Sequence, residues 1–171
     1  HETAGVLSRQ GVVDSTRFVR LTADPTFAAR LGIDEPTLEG YLFPETYFFS
    51  MESDEETVIR RMVKQFDQIM NHDALARLDA VNLSLHQAVT LASIVEREAQ
   101  AASERPLIAG VFLRRLALNR RLESCATVEY ALGVHKKRLT NADLRVKSPY
   151  NTYRHRGLPP APIGNPGKAA L

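Results

Sequence analysis

The stretch from Ser84 to Leu118 reads as two helices in series, and the rest of the chain must pack around them. Ser84 followed three residues later by Gln87 is a capping box: the serine oxygen accepts from a free backbone N–H while the glutamine reaches back to the chain entering the helix. Leu85, Ala88, Val89, Ala92, Val95, Ala99 and Ala102 then recur on one side at about 3.6-residue spacing, which predicts a buried helix over 85–101. Ser103 and Pro106 punctuate the run, because serine caps well and proline is tolerated only in a first turn. A second helix, over 104–118, carries Val111, Phe112 and Leu116.

Two carboxylates, Glu96 and Glu98, lie near the end of the first of these helices. At about 100° per residue both fall at the edges of the apolar stripe, Glu96 beside Val89 and Ala92, Glu98 beside Leu91, Ile94 and Val95. A carboxyl held against aliphatic neighbours is harder to ionise and can act as a general acid. Charged residues flanking an apolar stripe are also routine where a helix meets water. Periodicity alone does not choose between these readings, nor between the two glutamates.

Composition narrows the frame. An apolar content of 44% in 171 residues supports a real core, and no run of about 18 apolar residues is present to span a membrane. No signal peptide opens the chain, which begins at His1 and stops at Leu171 as an excised fragment would. The single cysteine, Cys125, excludes an internal disulfide, and no metal motif is present; His72 and His86 have no partner at ligand spacing. Residues 1–104 carry net −8 and residues 105–171 net +10. That basic half can pair with the acidic half, or meet an anionic polymer, a membrane surface or nucleic acid.

The remaining segments give shorter signals. Asp14 caps a helix over 15–21, Asp24-Pro25 opens another over 25–31, and Ser53 with Glu56 forms a second capping box for a helix over 54–71. Between them Tyr41, Phe43, Tyr47, Phe48 and Phe49 crowd around Pro44 and Glu45, a composition that suits a sugar-stacking wall or plain core. Val128–Leu132 turns helical and stops at Gly133, and Thr140 with Asp143 bounds a short helix over 141–145. Five prolines and three glycines between 149 and 167 forbid regular structure and stiffen the loop. The expected fold is α+β, predominantly helical, with a small β component supplied by Tyr41–Phe49 and Leu122–Thr127.

Five blocks then carry a resemblance: Glu39-Gly-Tyr-Leu-Phe-Pro-Glu-Thr-Tyr47, Ala92-Ser-Ile-Val-Glu-Arg-Glu98, Val111-Phe-Leu-Arg-Arg-Leu116, Thr127-Val-Glu-Tyr-Ala-Leu132, and Ser148-Pro-Tyr-Asn-Thr-Tyr153 with Gly157-Leu-Pro-Pro160. In this order and spacing the chain resembles the YceG-like family, the endolytic murein transglycosylases. The resemblance implies non-hydrolytic cleavage within peptidoglycan glycan strands, leaving 1,6-anhydro-N-acetylmuramic acid ends, with no cofactor and no metal. It places the catalytic acid on the second glutamate of the motif, Glu98, and makes Glu96 a supporting carboxylate. Glu45, Glu123, Tyr150, Asn151, Thr152 and Tyr153 are then expected to line the cleft. The family often reads Asp-Pro-Thr-Val where this chain has Cys125-Ala-Thr-Val, and Asn-Arg-Leu where it has Arg114-Arg-Leu.

The same resemblance implies residues 1–37 as a helical segment joining a LysM-like subdomain and 38–171 as the catalytic domain, cut short at its C-terminus. It further implies a single N-terminal helix in the inner membrane, a catalytic domain on the periplasmic side, and peptidoglycan synthases as partners. Membrane contact would come only through that helix. The competing reading is a peptidoglycan-binding or scaffold domain without turnover. Pyridoxal-phosphate chemistry needs a lysine Schiff base and a phosphate cradle, whereas Lys64, Lys136, Lys137, Lys147 and Lys168 sit in surface-like or loop contexts. No nucleic-acid-binding module is recognisable.

Overall fold

The computed structural model describes residues 2–50 and 52–171. The chain forms two compact units that divide between Asn71 and His72. The first holds α1 (Glu2–Arg9), α2 (Ser15–Thr22), α3 (Pro25–Arg30) and α4 (Glu55–Ile69); the second holds α5 (His72–Ala80), α6 (Leu85–Glu98), α7 (Arg105–Ala117) and α8 (Cys125–Leu132). No strand occurs among the described residues, so the expected α+β class is corrected to all-helical. Two local features explain the missing sheet. Tyr41, Leu42 and Phe43 are buried consecutively instead of alternating, and Pro44 then removes a ladder donor. Glu123 sits in the left-handed region at φ 55°, which breaks the extended run before α8 begins at Cys125.

Helix starts follow short polar side chains. Asp14 accepts from the Arg17 N–H at 2.7 Å and Asp24 from the Thr26 N–H at 2.8 Å. Ser84 and Gln87 form the reciprocal box, with bonds of 3.2 and 2.9 Å. The α4 cap lies one residue beyond the expected one: Asp54, a stronger acceptor than Ser53, takes the Thr57 N–H at 2.8 Å. α7, expected over 104–118, begins at Arg105 and is preceded by Glu104, not Ser103, turned back onto the Gln100 and Ala101 N–H groups, both at 2.9 Å. In place of a helix over 141–145 there is one 3-10 turn, Asp143–Arg145, boxed by Thr140 and Asp143.

Two helices, α1 and α5, have no counterpart among the sequence expectations, and helix ends explain the second. α5 buries none of its residues, so it shows no apolar stripe. It stops because Asn82 adopts φ 52°, letting the Asn82 and Leu83 N–H groups bond back to Asp79 and Leu78. Asn119, at φ 49°, ends α7 the same way through bonds to Leu116 and Arg115.

In the first unit, Phe18, Phe27, Val58, Ile59 and Phe66 are almost fully buried, and the rings of Tyr41 and Phe66 meet edge to face at 5.1 Å. Glu55, 7% exposed, accepts from the Asp14 N–H at 2.9 Å and so ties the start of α2 to the start of α4. In the second unit, Leu91, Ile94, Val95, Phe112, Leu122, Ala126 and Ile163 form one cluster, joining α6, α7, α8 and the C-terminal loop.

That loop is strapped along α6. His86 Nε2 lies 3.0 Å from the Pro160 carbonyl, Ser93 Oγ accepts from the Ile163 N–H at 3.0 Å, and Glu96 Oε2 accepts from the Gly167 N–H at 3.3 Å. Arg97 lies against Gly164 so closely that an added Cβ would come within 3.3 Å of its Nε. Ser93 also donates to the Thr90 carbonyl at 2.7 Å, so its hydroxyl works in both directions while 1% exposed. Ser93→Ala leaves the buried Ile163 N–H without its acceptor and is expected to cost about 1–3 kcal/mol. Urea unfolding should show a lower midpoint at unchanged slope; an unchanged midpoint would mean that the strap holds without this bond.

Candidate active site

Glu98 is the last residue of α6, and its half-buried side chain reaches the first turn of α8. Its Oε1 accepts from the Ser124 hydroxyl at 2.5 Å and from the Ala126 N–H at 3.1 Å. Ser124 occupies the N-cap position of α8 yet makes no capping bond to its own helix. The carboxylate of another helix caps it instead, at the end where the helix dipole favours negative charge. Oε2 is left without a hydrogen bond among the described residues.

Behind this contact lies a chain of buried hydroxyls. The Ser124 N–H donates to Thr152 Oγ1 at 3.0 Å, Thr127 Oγ1 donates to the Ser124 carbonyl at 2.8 Å, and the two threonine hydroxyls are 2.8 Å apart. The Glu123 N–H donates to the Thr152 carbonyl at 3.2 Å. Residues 123–127 and 151–153 are thereby zipped together without forming a sheet. The left-handed backbone of Glu123 stores strain of about 1–3 kcal/mol. Arg115 braces the turn, donating from Nη1 to the Leu122 carbonyl at 2.5 Å and to Glu123 Oε2 at 3.1 Å.

Tyr153 completes the cluster. Its hydroxyl lies 3.3 Å from Cys125 Sγ. Burial, the hydrogen bond with Cys125, and then the charges of Cys125, Glu98 and Glu123 push the phenol well above its ordinary range. It is a neutral hydroxyl at any working pH.

The expected site residues therefore divide. Glu98, Glu123, Thr152 and Tyr153 converge around the start of α8. Asn151 is 0% exposed, its amide donating to the Leu144 and Val146 carbonyls at 3.0 and 2.9 Å while its Oδ1 accepts from the Tyr153 N–H at 3.0 Å. It holds the segment from inside. Tyr150 packs on the core, its ring 4.8 Å from that of Tyr130. Glu45 belongs to the first unit, is exposed, and accepts from its neighbour's N–H, that of Thr46, at 2.9 Å. Beside it Tyr47 donates to the Phe43 carbonyl at 2.7 Å and stacks on Phe49 at 5.6 Å. Burial first, and then the Glu45 carboxylate, push the Tyr47 phenol up to about 12.

Geometry also separates the two glutamates. Glu96 is engaged by Arg105 at 2.7 Å through one oxygen and by Gly167 through the other, a structural carboxylate. Glu98 keeps one oxygen anchored and one open. Ser124, Thr127 and Arg115 were not singled out by sequence reasoning. A serine one residue before a helical Cys125-Ala-Thr-Val run signals a cap, but nothing local shows that its hydroxyl turns away to a carboxylate 26 residues earlier.

The start of α8 thus brings together a carboxyl pinned by one oxygen, a neutral phenol and a second, arginine-paired carboxylate, groups able to give and take a proton. The chain belongs to the YceG-like family, whose match runs over residues 1–171. It is 40% identical over 134 residues to the endolytic murein transglycosylase of Bacillus subtilis, covering 78% of this chain and 37% of that protein. It is 34% identical over 139 residues to the endolytic murein transglycosylase of Streptococcus pneumoniae D39, covering 78% of this chain and 25% of that one. The chain thus spans about a quarter to just over a third of the length of these curated relatives. The crystal structure of a yceG-like protein from Listeria monocytogenes superposes with a TM-score of 0.86 at 36% identity, over 99% of this chain and 60% of that one.

Proposed function

We propose that the chain is the catalytic part of an endolytic murein transglycosylase, with Glu98 as its acid and base. One observation carries this reading: Glu98 Oε1 is fixed by Ser124 and Ala126 while Oε2 stays open. In the first step Glu98 gives its proton to the oxygen bridging N-acetylmuramic acid and N-acetylglucosamine. That bond breaks as positive charge builds on the muramyl ring. Glu98, now a carboxylate, takes the proton of the muramyl C6 hydroxyl as that oxygen bonds to C1. Protons balance and no water is consumed. One carboxyl suffices because the nucleophile is intramolecular, whereas hydrolases that use water or a covalent intermediate need a second.

Tyr153 contributes a neutral hydroxyl near the reacting oxygens, and Glu123 lies at the rim, held by Arg115. Asn151 and Thr152, both buried, shape the cleft by fixing the segment that carries Tyr153. Glu45 and Tyr150 are assigned to sugar contact on the family pattern. Residues 38–171 form the catalytic domain in this reading, with residues 1–37 leading from a LysM-like subdomain. Among the described residues no single helix is long and apolar enough to cross a membrane. The full-length protein would be anchored in the inner membrane by an N-terminal helix outside these residues, act on its outer side, and work beside peptidoglycan synthases.

Products decide the reaction class. Mass spectrometry of digested strands should find fragments whose masses sum to that of the parent strand, with anhydro ends and no new reducing ends. Fragments heavier by one water would make the enzyme a hydrolase.

A further inference from the structure

The segment Lys136–Arg156 carries seven Lys and Arg against one carboxylate, Asp143. Asp143 is already engaged: Lys136 Nζ donates to it at 2.6 Å, and that bond together with the Thr140 N–H and hydroxyl holds it down to about 2. The other six cations, Lys137, Arg138, Arg145, Lys147, Arg154 and Arg156, are exposed and make no ion pair among the described residues. They are not a loose run. The Asn151 side chain holds the arm carrying Arg145 and Lys147 through the Leu144 and Val146 carbonyls. The Asn151 backbone carbonyl receives the Arg154 and His155 N–H groups, both at 3.0 Å, and Arg154 Nη1 reaches the Arg145 carbonyl at 3.3 Å. Clustering like charge on two pinned arms is self-repulsive unless an anion comes to it.

We propose that this basic knuckle is a subsite for the carboxylates of the peptides carried by the glycan strand, so that peptide-bearing strands are preferred over bare ones. The inference rests on the transglycosylase reading and names the part of the substrate that reading leaves out. Asn151 supplies the link: its side-chain amide fixes one arm, its backbone carbonyl fixes the other, and its Oδ1 fixes Tyr153 beside Glu98. Whatever meets the knuckle during turnover must therefore be present while a sugar chain lies in the site. In a peptide-bearing strand the lactyl groups are tied up as amides and the sugar backbone is uncharged, whereas its covalently attached peptides carry free carboxylates. Their effective concentration at the knuckle exceeds that of any separate polyanion.

The test uses the 171-residue chain and compares strands bearing peptides with the same strands stripped by an amidase, which keep only one lactyl carboxylate per disaccharide, held close to the ring. Peptide-bearing strands should be cleaved with kcat/KM on the order of tenfold higher at low salt. That advantage should vanish at about 1 M salt, where charges are screened within about 3 Å. In a Lys147→Gln/Arg154→Gln/Arg156→Gln variant the ratio between the two strand types should fall to about one even at low salt. Equal cleavage of both strands by the parent, or an undiminished ratio in the variant, overturns the subsite while leaving the reaction in place. Failure to cleave either strand strikes the transglycosylase reading instead. Binding of the parent to phosphatidylglycerol vesicles, with a strand ratio of one, would assign the knuckle to a lipid surface and overturn the proposal.

Discussion

Glu98→Gln is expected to lower the release of anhydro-ended fragments by about 10²–10⁴-fold, the range carried by a positioned general acid. Glutamine keeps the shape and keeps an oxygen able to accept from Ser124 and Ala126, so α8 retains its cap. Only the charge at the helix start is lost, about 0.3–1 kcal/mol. The variant should therefore unfold within a few degrees of the parent while cleaving almost nothing. Glu96→Gln is the matched control: it weakens the bond from Arg105 and should reduce stability more than turnover. Cleavage surviving in Glu98→Gln would move the acid elsewhere in the chain. Binding of strands by the parent without any cleavage would favour a scaffold role.

The second large effect belongs to Ser124, which touches only the anchored oxygen of Glu98 and acts through it. Ser124→Ala removes one of two donors, leaving the carboxyl to pivot about the Ala126 N–H. Misplacing a reacting group by about 1 Å can cost on the order of 10²-fold. We expect kcat to fall about 10–100-fold with KM within about twofold, because no sugar contact is lost. Ser124→Thr keeps the hydroxyl and should recover most of the loss. A merely structural serine would show neither the split between kcat and KM nor the rescue. An unchanged kcat would mean that the backbone donor alone holds the acid.

What could be read from the sequence was local. Asp14, Asp24 and the Ser84–Gln87 box act within three residues, and all three sit where their spacing puts them. Ser53 failed by one position because Asp54 competes for the same N–H groups, and short-range rules do not rank adjacent acceptors. α5 escaped because it buries nothing, although Asn82 followed by Leu83 carries the signature of its end. The aromatic run at 41–49 and the stretch at 122–127 have strand-like composition, but strands need partners and composition does not supply them. The site divides the same way. That two glutamates lie near the end of α6 is visible from periodicity, although the apolar pattern runs on to 101 and hides the stop at Glu98; the grip on α8 depends on bonds spanning 26 and 28 residues. Asn151 entered through family likeness as a cleft residue, and its burial gives it the role of an internal clamp.

The strap along α6 has a mechanical consequence. Turning the helix by one residue's worth, about 100°, would swing Glu98 away from α8 and bring Arg97 toward its place. Fixings at residues 86, 93, 96 and 97, one or more for nearly every turn, oppose that rotation like a key in a keyway. The direction in which the acid points is thus set by chain that lies some 65 residues further on.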